Sequence, residues 1–276
     1  MYKKIALAIA FSPTIEALIC EVKRIKDIHQ ALLLLINIGE ESEENKEFLD
    51  SLLERHKINK EEIKIIWRKG KPAKKILQIC NNEGVDLLVA GALKKEVLFT
   101  YYLGSIARKI IRKAKCSVLI LIEPGTSPKP FKKVVINGIQ QAQTPFVINR
   151  AVEFCKLETT NRVFILNEIK MYGLQMATAG EGSKDEVSNF RKSLVNQEIA
   201  YVKNILKNID TGSLKINIKV STGRWTTELA KFSENIQADL LIVGGHNNLN
   251  FFDRLFPHDL EELLINLPCN ILIVKK

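Results

Sequence analysis

The sequence predicts two α/β domains in tandem, each a doubly wound five-stranded parallel sheet of Rossmann-like form. Three observations lead there. Runs rich in Val, Ile and Leu alternate with segments whose apolar residues recur at helical spacing, the pattern of strand–helix–strand units. The runs are apolar throughout rather than alternating, as strands covered on both faces require. The chain also repeats itself. Val85-Asp86-Leu87-Leu88-Val89-Ala90-Gly91 returns as Ala238-Asp239-Leu240-Leu241-Ile242-Val243-Gly244 at an offset of 153 residues, which also carries Gly70 to Gly223 and Cys116 to Cys269.

In the first copy, strands are expected near 4–10, 31–38, 62–68, 86–91 and 116–122, with helices near 13–28, 43–57, 71–83 and 104–114 between them. The second helix is preceded by Glu40-Glu41-Ser42-Glu43-Glu44, acidic residues that suit the positive end of a helix and read as a solvated face. The third shows its period plainly: Ala73, Ile76, Leu77 and Cys80 form one stripe, with Lys74 and Lys75 outside it. Residues 123–131, which contain Pro124, Gly125, Pro128 and Pro130, read as a linker between domains 1–122 and 132–276. In the second copy, strands are expected near 132–138, 161–167, 214–221, 239–244 and 270–275, and helices near 145–156, 186–208, 225–236 and 258–266. Lys132-Lys133-Val134 matches Lys3-Lys4-Ile5 at an offset of 129, so the second copy is longer by 24 residues between its first and third strands. The extra length includes 170–183, where Met171, Tyr172, Leu174 and Met176 suggest a lid or a partner surface, while the glycines and small residues favour a mobile loop.

Composition narrows the function classes. At 276 residues, 46% hydrophobic and 26% charged, the chain is an ordinary globular protein. Its longest apolar run, Ala31–Ile36, is far below the ~20 residues of a membrane span. With no evident signal peptide it reads as cytoplasmic. Cys20, Cys80, Cys116, Cys155 and Cys269 are scattered and never spaced C-x-x-C, so neither a disulfide framework nor a metal site is expected. The net charge of +10, concentrated in the first 122 residues, favours anionic ligands. Nucleic-acid binding is not expected, since no basic stripe is interleaved with aromatics.

Ligands of open parallel sheets bind beyond the carboxyl ends of the strands, where strand order reverses. In the first copy this selects Ala10-Phe11-Ser12-Pro13, after strand one, and Gly91 through Gly104-Ser105, after strand four. The second segment ends at a helix start, whose free N–H donors attract phosphate. With this spacing and the tandem repeat, the chain resembles the universal stress proteins in their two-domain form, over essentially its whole length. Members that bind ATP carry G-x2-G-x9-G-[ST] after strand four and an Asp at the end of strand one. Gly91, Gly104 and Ser105 fit that pattern, whereas Lys94 stands at the second glycine and Ala10 at the Asp. In the second copy only Gly244 fits; Asn247, Pro257, His258 and Ile139 hold the other positions.

The resemblance therefore implies an ATP-type nucleotide, bound if anywhere by Ala10, Phe11, Gly91, Lys94, Gly104 and Ser105 of the first domain. If the second loop position needs a positive φ, Lys94 costs on the order of 1 kcal/mol. Lys94 also offers a charge to a phosphate, so whether it blocks or recruits one stays open. Ala10 lacks a polar anchor of roughly 1–3 kcal/mol. Pro257 has no N–H where the third glycine would donate, so no nucleotide is expected in the second domain. On a purely structural reading, Gly91 and Gly104 are turn residues, Ser105 caps a helix, His258 caps or is exposed, Trp67 and Trp225 pack, and Asp86 and Asp239 are structural.

The leading expectation is a stress-response binding or regulatory module with no catalytic residues. A nucleotide-free interaction scaffold is the alternative, and slow ATP hydrolysis by Glu40, Glu41 and Glu96 ranks below both. A receiver domain is excluded, because Ala10-Phe11 and Ile139-Gln140 are not an acidic pair. By resemblance the two domains pair as a pseudo-dimer through their last strands, residues 116–122 and 270–274, which would cover two apolar edges. A homodimer and protein partners stay open.

Overall fold

The computed structural model describes residues 1–94, 101–169, 184–245 and 262–276. The first half runs β1 (Lys4–Ile9), α1 (Ile15–His29), β2 (Leu32–Ile38), α2 (Glu43–Arg55), β3 (Ile63–Arg68), α3 (Pro72–Glu83) and β4 (Leu87–Gly91). A short hairpin, β5 (Leu93–Lys94) and β6 (Tyr101–Tyr102), then leads to α4 (Ser105–Lys113) and β7 (Ser117–Leu121). The second half runs β8 (Lys133–Asn137), α5 (Thr144–Leu157), β9 (Arg162–Ile169), α6 (Lys184–Leu206), β10 (Lys215–Thr222), α7 (Trp225–Asn235), β11 (Leu240–Gly244) and β12 (Asn270–Val274). A further helical turn covers 262–265, within the expected 258–266; residues 258–261 lie outside the described ones.

The ten long strands form a single sheet in the order β10-β9-β8-β11-β12-β7-β4-β1-β2-β3. Each half is a parallel 3-2-1-4-5 sheet, and the halves join where β7 and β12 pair antiparallel, with Leu119 opposite Leu272. Alternate side chains feed two cores. Leu33 and Leu35 pack with α1 and α2 on one face, while Leu34 and Ile36 pack with α3 on the other. Each core continues through both halves: α5 and α6 complete the first, α4 and α7 the second.

The repeat is a repeat of hydrogen bonds as well as letters. Asp86 accepts the Lys3 and Lys4 amides at 2.8 and 3.2 Å, and Asp239 accepts those of Lys132 and Lys133, both at 2.7 Å. Both aspartates thus pin the start of a first strand to its neighbour. The added length of the second half falls after β9, where α6 spans 23 residues against 13 for α2. Residues 170–183, with Met171, Tyr172, Leu174 and Met176, lie outside the described residues.

The seam between halves holds more than the strand pair. Ile122 donates its amide to Asn270 Oδ1 at 2.7 Å, and Lys275 donates its own to Ser117 Oγ at 3.2 Å. The Lys275 ammonium is buried on the Ile111 and Ala114 carbonyls at 2.7 and 2.6 Å, and burial pushes its pKa down to about 8. On the opposite face, Arg24 of α1 bonds Glu21 at 2.6 Å and, across the seam, Glu158 at 2.7 Å. Glu158 also accepts the Phe131 amide at 3.1 Å. Phe131, the last residue of the expected linker, is therefore docked in the core, stacked on Phe154 with Tyr2 and His29 alongside.

Candidate functional site

Past the end of β1 the chain turns tightly, Ser12 donating its amide to the Ala10 carbonyl at 2.8 Å. Ala10 is exposed, and Phe11 is held at the surface, stacked on Trp67 at 5.8 Å with planes 13° apart and tilted against Phe48 at 6.1 Å. An aromatic cluster drawn from the β1 turn, β3 and α2 thus stands beside the position of the missing polar anchor. Trp67 packs, as expected, with Phe11 as its partner. Asn37, near the end of β2, donates to the Ile9 carbonyl at 3.4 Å and fastens the two strand ends together.

Gly91 closes β4 directly against α1: a Cβ there would lie 3.2 Å from Leu18 Cδ1. The chain beyond it is extended. Leu93 and Lys94 pair with Tyr102 and Tyr101, so Lys94 occupies a ladder position. The cost anticipated for a left-handed Lys94 is corrected by this geometry and does not arise. Residues 95–100, including Glu96, lie outside the described residues.

Gly104 is the N-cap of α4, with φ −64° and ψ 164°, and a Cβ there would stand 3.0 Å from Leu93 Cδ1. Ser105, a phosphate contact on one reading of the sequence and a cap on the other, is the first helical residue and exposed. With glycine at the cap there is no side-chain acceptor, and the ladder begins only at Arg108, whose amide bonds the Gly104 carbonyl at 3.1 Å. The amides of Ser105, Ile106 and Ala107 are the donors that a helix of this kind presents outward. The first turn holds no acidic residue, and Arg108 Nε on the Leu103 carbonyl at 2.9 Å fixes a guanidinium at the same end. Partial and full positive charge therefore coincide at the carboxyl end of the sheet. Of the acids considered for hydrolysis, Glu40 bonds Lys69 at 2.9 Å, and that ammonium holds its carboxyl below the usual range.

The second half is arranged differently. Ile139 is buried and receives Thr144 Oγ1 on its carbonyl at 2.5 Å. Asn167, the β9 counterpart of Asn37, lies over Gly138, where a Cβ would come within 2.1 Å of Asn167 Oδ1. Glu198 of α6 accepts Asn167 Nδ2 and Gln140 Nε2, each at 3.0 Å. The ends of β8 and β9 are thus spanned by the protein's own polar groups, with Glu198 supplied by α6, the lengthened counterpart of α2. Gly244 packs against Val147 and Gln143 of the α5 segment. Asn247, Pro257 and His258 lie outside the described residues. A cavity of about 590 Å³ opens at the other end of this half, between Lys156, Arg162 and Lys215, away from either switch point.

Two features were missed from sequence. Of the paired asparagines, Asn37 was visible as a lone polar residue inside an apolar run, while Asn167 stands beside Glu168 at the end of one. The Phe11–Trp67–Phe48 cluster had no local signal.

Residues 33–121 match the universal stress protein family. A universal stress protein of Methanocaldococcus jannaschii is 27% identical over 154 residues, covering 44% of this chain and 95% of that protein. Among solved structures, a universal stress protein from Archaeoglobus fulgidus superposes with TM-score 0.64 at 13% identity, over 99% of this chain and 96% of that one. A functionally unknown protein from Pseudomonas aeruginosa gives TM-score 0.68 at 14% identity, over 99% and 92%. These two extend the likeness in fold across both halves.

Proposed function

We propose that the chain, whose residues 33–121 match the universal stress protein family, works as a regulatory binding module, not an enzyme, whose first half takes an ATP-type nucleotide. The observation that carries this reading is the start of α4. First-turn amides that Gly104 has no side chain to cap, the exposed Ser105 hydroxyl and the Arg108 guanidinium lie together beyond the ends of a parallel sheet, where phosphate is favoured. Gly91 and Gly104 let α1 and the hairpin close on that spot without a Cβ between. Phe11 offers an aromatic face in place of a polar anchor. The second half serves as the structural partner, its own switch point spanned by Asn167, Gln140 and Glu198. A reducing, cytoplasmic setting fits the five free cysteines. Among the described residues no helix is long and apolar enough to cross a membrane.

The alternative, a nucleotide-free scaffold for protein partners, has one observation in its favour: the Phe11 ring just past β1 is already stacked on Trp67. Mass spectrometry of small molecules released on denaturing the freshly purified protein separates the two. A stoichiometric nucleotide supports the first reading. Its absence, with no binding at millimolar ATP, supports the scaffold.

A further inference from the structure

We propose that Cys20 is a modification site, a thiol activated by His56 and Glu16 for attack on small electrophiles, peroxide above all. The proposal is independent of nucleotide binding. Glu16 and Cys20 lie one turn apart on α1, so their side chains share a face. His56 is the C-cap residue of α2, the helix alongside. Its Nδ1 is 3.4 Å from Cys20 Sγ, and its Nε2 is 2.8 Å from Glu16 Oε1.

The chemistry follows from which group can donate. Arg55 bonds the same Glu16 oxygen at 3.2 Å, and His56 and Arg55 together hold the Glu16 carboxyl below its ordinary range, so it is an acceptor. Nε2 must then carry the proton, which leaves Nδ1 as the acceptor facing the thiol. Carboxylate, imidazole and thiol thus stand in the order of orienting group, base and nucleophile. The two ring nitrogens face different partners, so the trio does not converge on one point as metal ligands would. Burial and the Glu16 charge raise the Cys20 pKa, so the resting sulfur is a thiol and His56 takes its proton during attack. Glu21 and Lys23 of α1 are the other charged groups that act on this sulfur.

With peroxide, the S–O bond forms as the O–O bond breaks, and the thiol proton passes through Nδ1 to the leaving hydroxide. The thiol becomes a sulfenic acid and the peroxide yields one water, so atoms and electrons balance. Cys20 is only 6% exposed, while the His56 and Glu16 side chains are 20% and 31% exposed. The proposal has small reagents reach the sulfur past these two partly exposed side chains. The site is placed to be read by the rest of the fold, because α1 also carries Leu18 against Gly91 and Arg24 across the seam.

The test uses the full chain in its native state. Hydrogen peroxide with dimedone as the sulfenic-acid trap, and iodoacetamide in parallel, are followed by peptide mass spectrometry at each cysteine. Cys155 and Cys269, whose thiols burial pushes up to about 12, are internal controls. Cys20 is expected to react at least about tenfold faster than either, and His56→Gln to remove that advantage. The wild-type rate should also level off at a lower pH than the His56→Gln rate, which a purely structural role for His56 would not produce. If His56→Gln fails to fold, Glu16→Gln replaces it, with a smaller slowing of at least about threefold expected. Reaction of Cys20 at the rate of Cys155, or no slowing in the variant that folds, overturns the proposal.

Discussion

Replacing Arg24 with Met tests how the halves are held together. The Glu158 side chain is fully buried, those of Arg24 and Glu21 are 13% and 7% exposed, and one guanidinium serves both carboxylates. Removing it leaves two buried acids without their cation, a loss of about 3–5 kcal/mol. The lower end is expected, because Glu158 keeps the Phe131 amide and Glu21 can take up a proton. For a chain of this size, 3 kcal/mol is roughly a 6 °C drop in Tm. Burial already raises the Glu21 pKa above its unfolded value, and removing Arg24 raises it further. The folded state then binds a proton more tightly than the unfolded one, so the variant regains stability as pH falls. Urea unfolding at pH 7.5 and pH 5 should show a deficit of about 3 kcal/mol that shrinks in acid. Replacing Glu21 and Glu158 with Leu in the same variant should recover most of it. A deficit below about 1 kcal/mol at pH 7.5, or one that grows in acid, would refute the assignment.

Further predictions rest on other parts of the seam and the repeat. Burial lowers the His29 pKa to about 4, and neither ring nitrogen has a hydrogen-bond partner among the described residues. The unfolded chain therefore takes a proton that the folded one refuses, and up to about 3 kcal/mol is lost as pH falls from 6.5 to 4. His29→Phe should flatten that slope in thermal melts across the range; an unchanged slope would contradict it. Asp86→Ala and Asp239→Ala each strand two amides and should each cost about 1–2 kcal/mol in urea melts. Their sum should hold in the double variant within about 0.5 kcal/mol, and a marked inequality between the two would break the proposed equivalence.

Much of the fold was legible because its signals are local or repeated. The apolar strands, the Ala73–Cys80 stripe and the paired Val85–Gly91 and Ala238–Gly244 segments require no knowledge of distant contacts. Asp86 and Asp239 could be set aside as structural from their place at strand starts, opposite the ligand end. The candidate site was legible only in outline. Gly91, Gly104 and Ser105 mark it, but the cap falls on Gly104 and Lys94 enters a hairpin, details set by pairing with Tyr101 and packing on Leu93. Contacts between residues far apart in sequence left no trace. Nothing in the sequence pairs Arg24 with Glu158, and Phe131 reads as the end of a linker. His56 is 36 residues from Cys20, and nothing in either segment announces the other. Long-range pairs follow from the crossing of helices over the sheet, which periodicity predicts only as a layer.

The central claim, a nucleotide held at the start of α4, is tested most directly by calorimetric titration of the full chain with ATP, beside Gly104→Trp and Ile139→Ala. One site per chain, lost in Gly104→Trp and retained in Ile139→Ala, is the predicted result. No binding by the wild-type chain at millimolar ATP, or binding that survives Gly104→Trp, would contradict it.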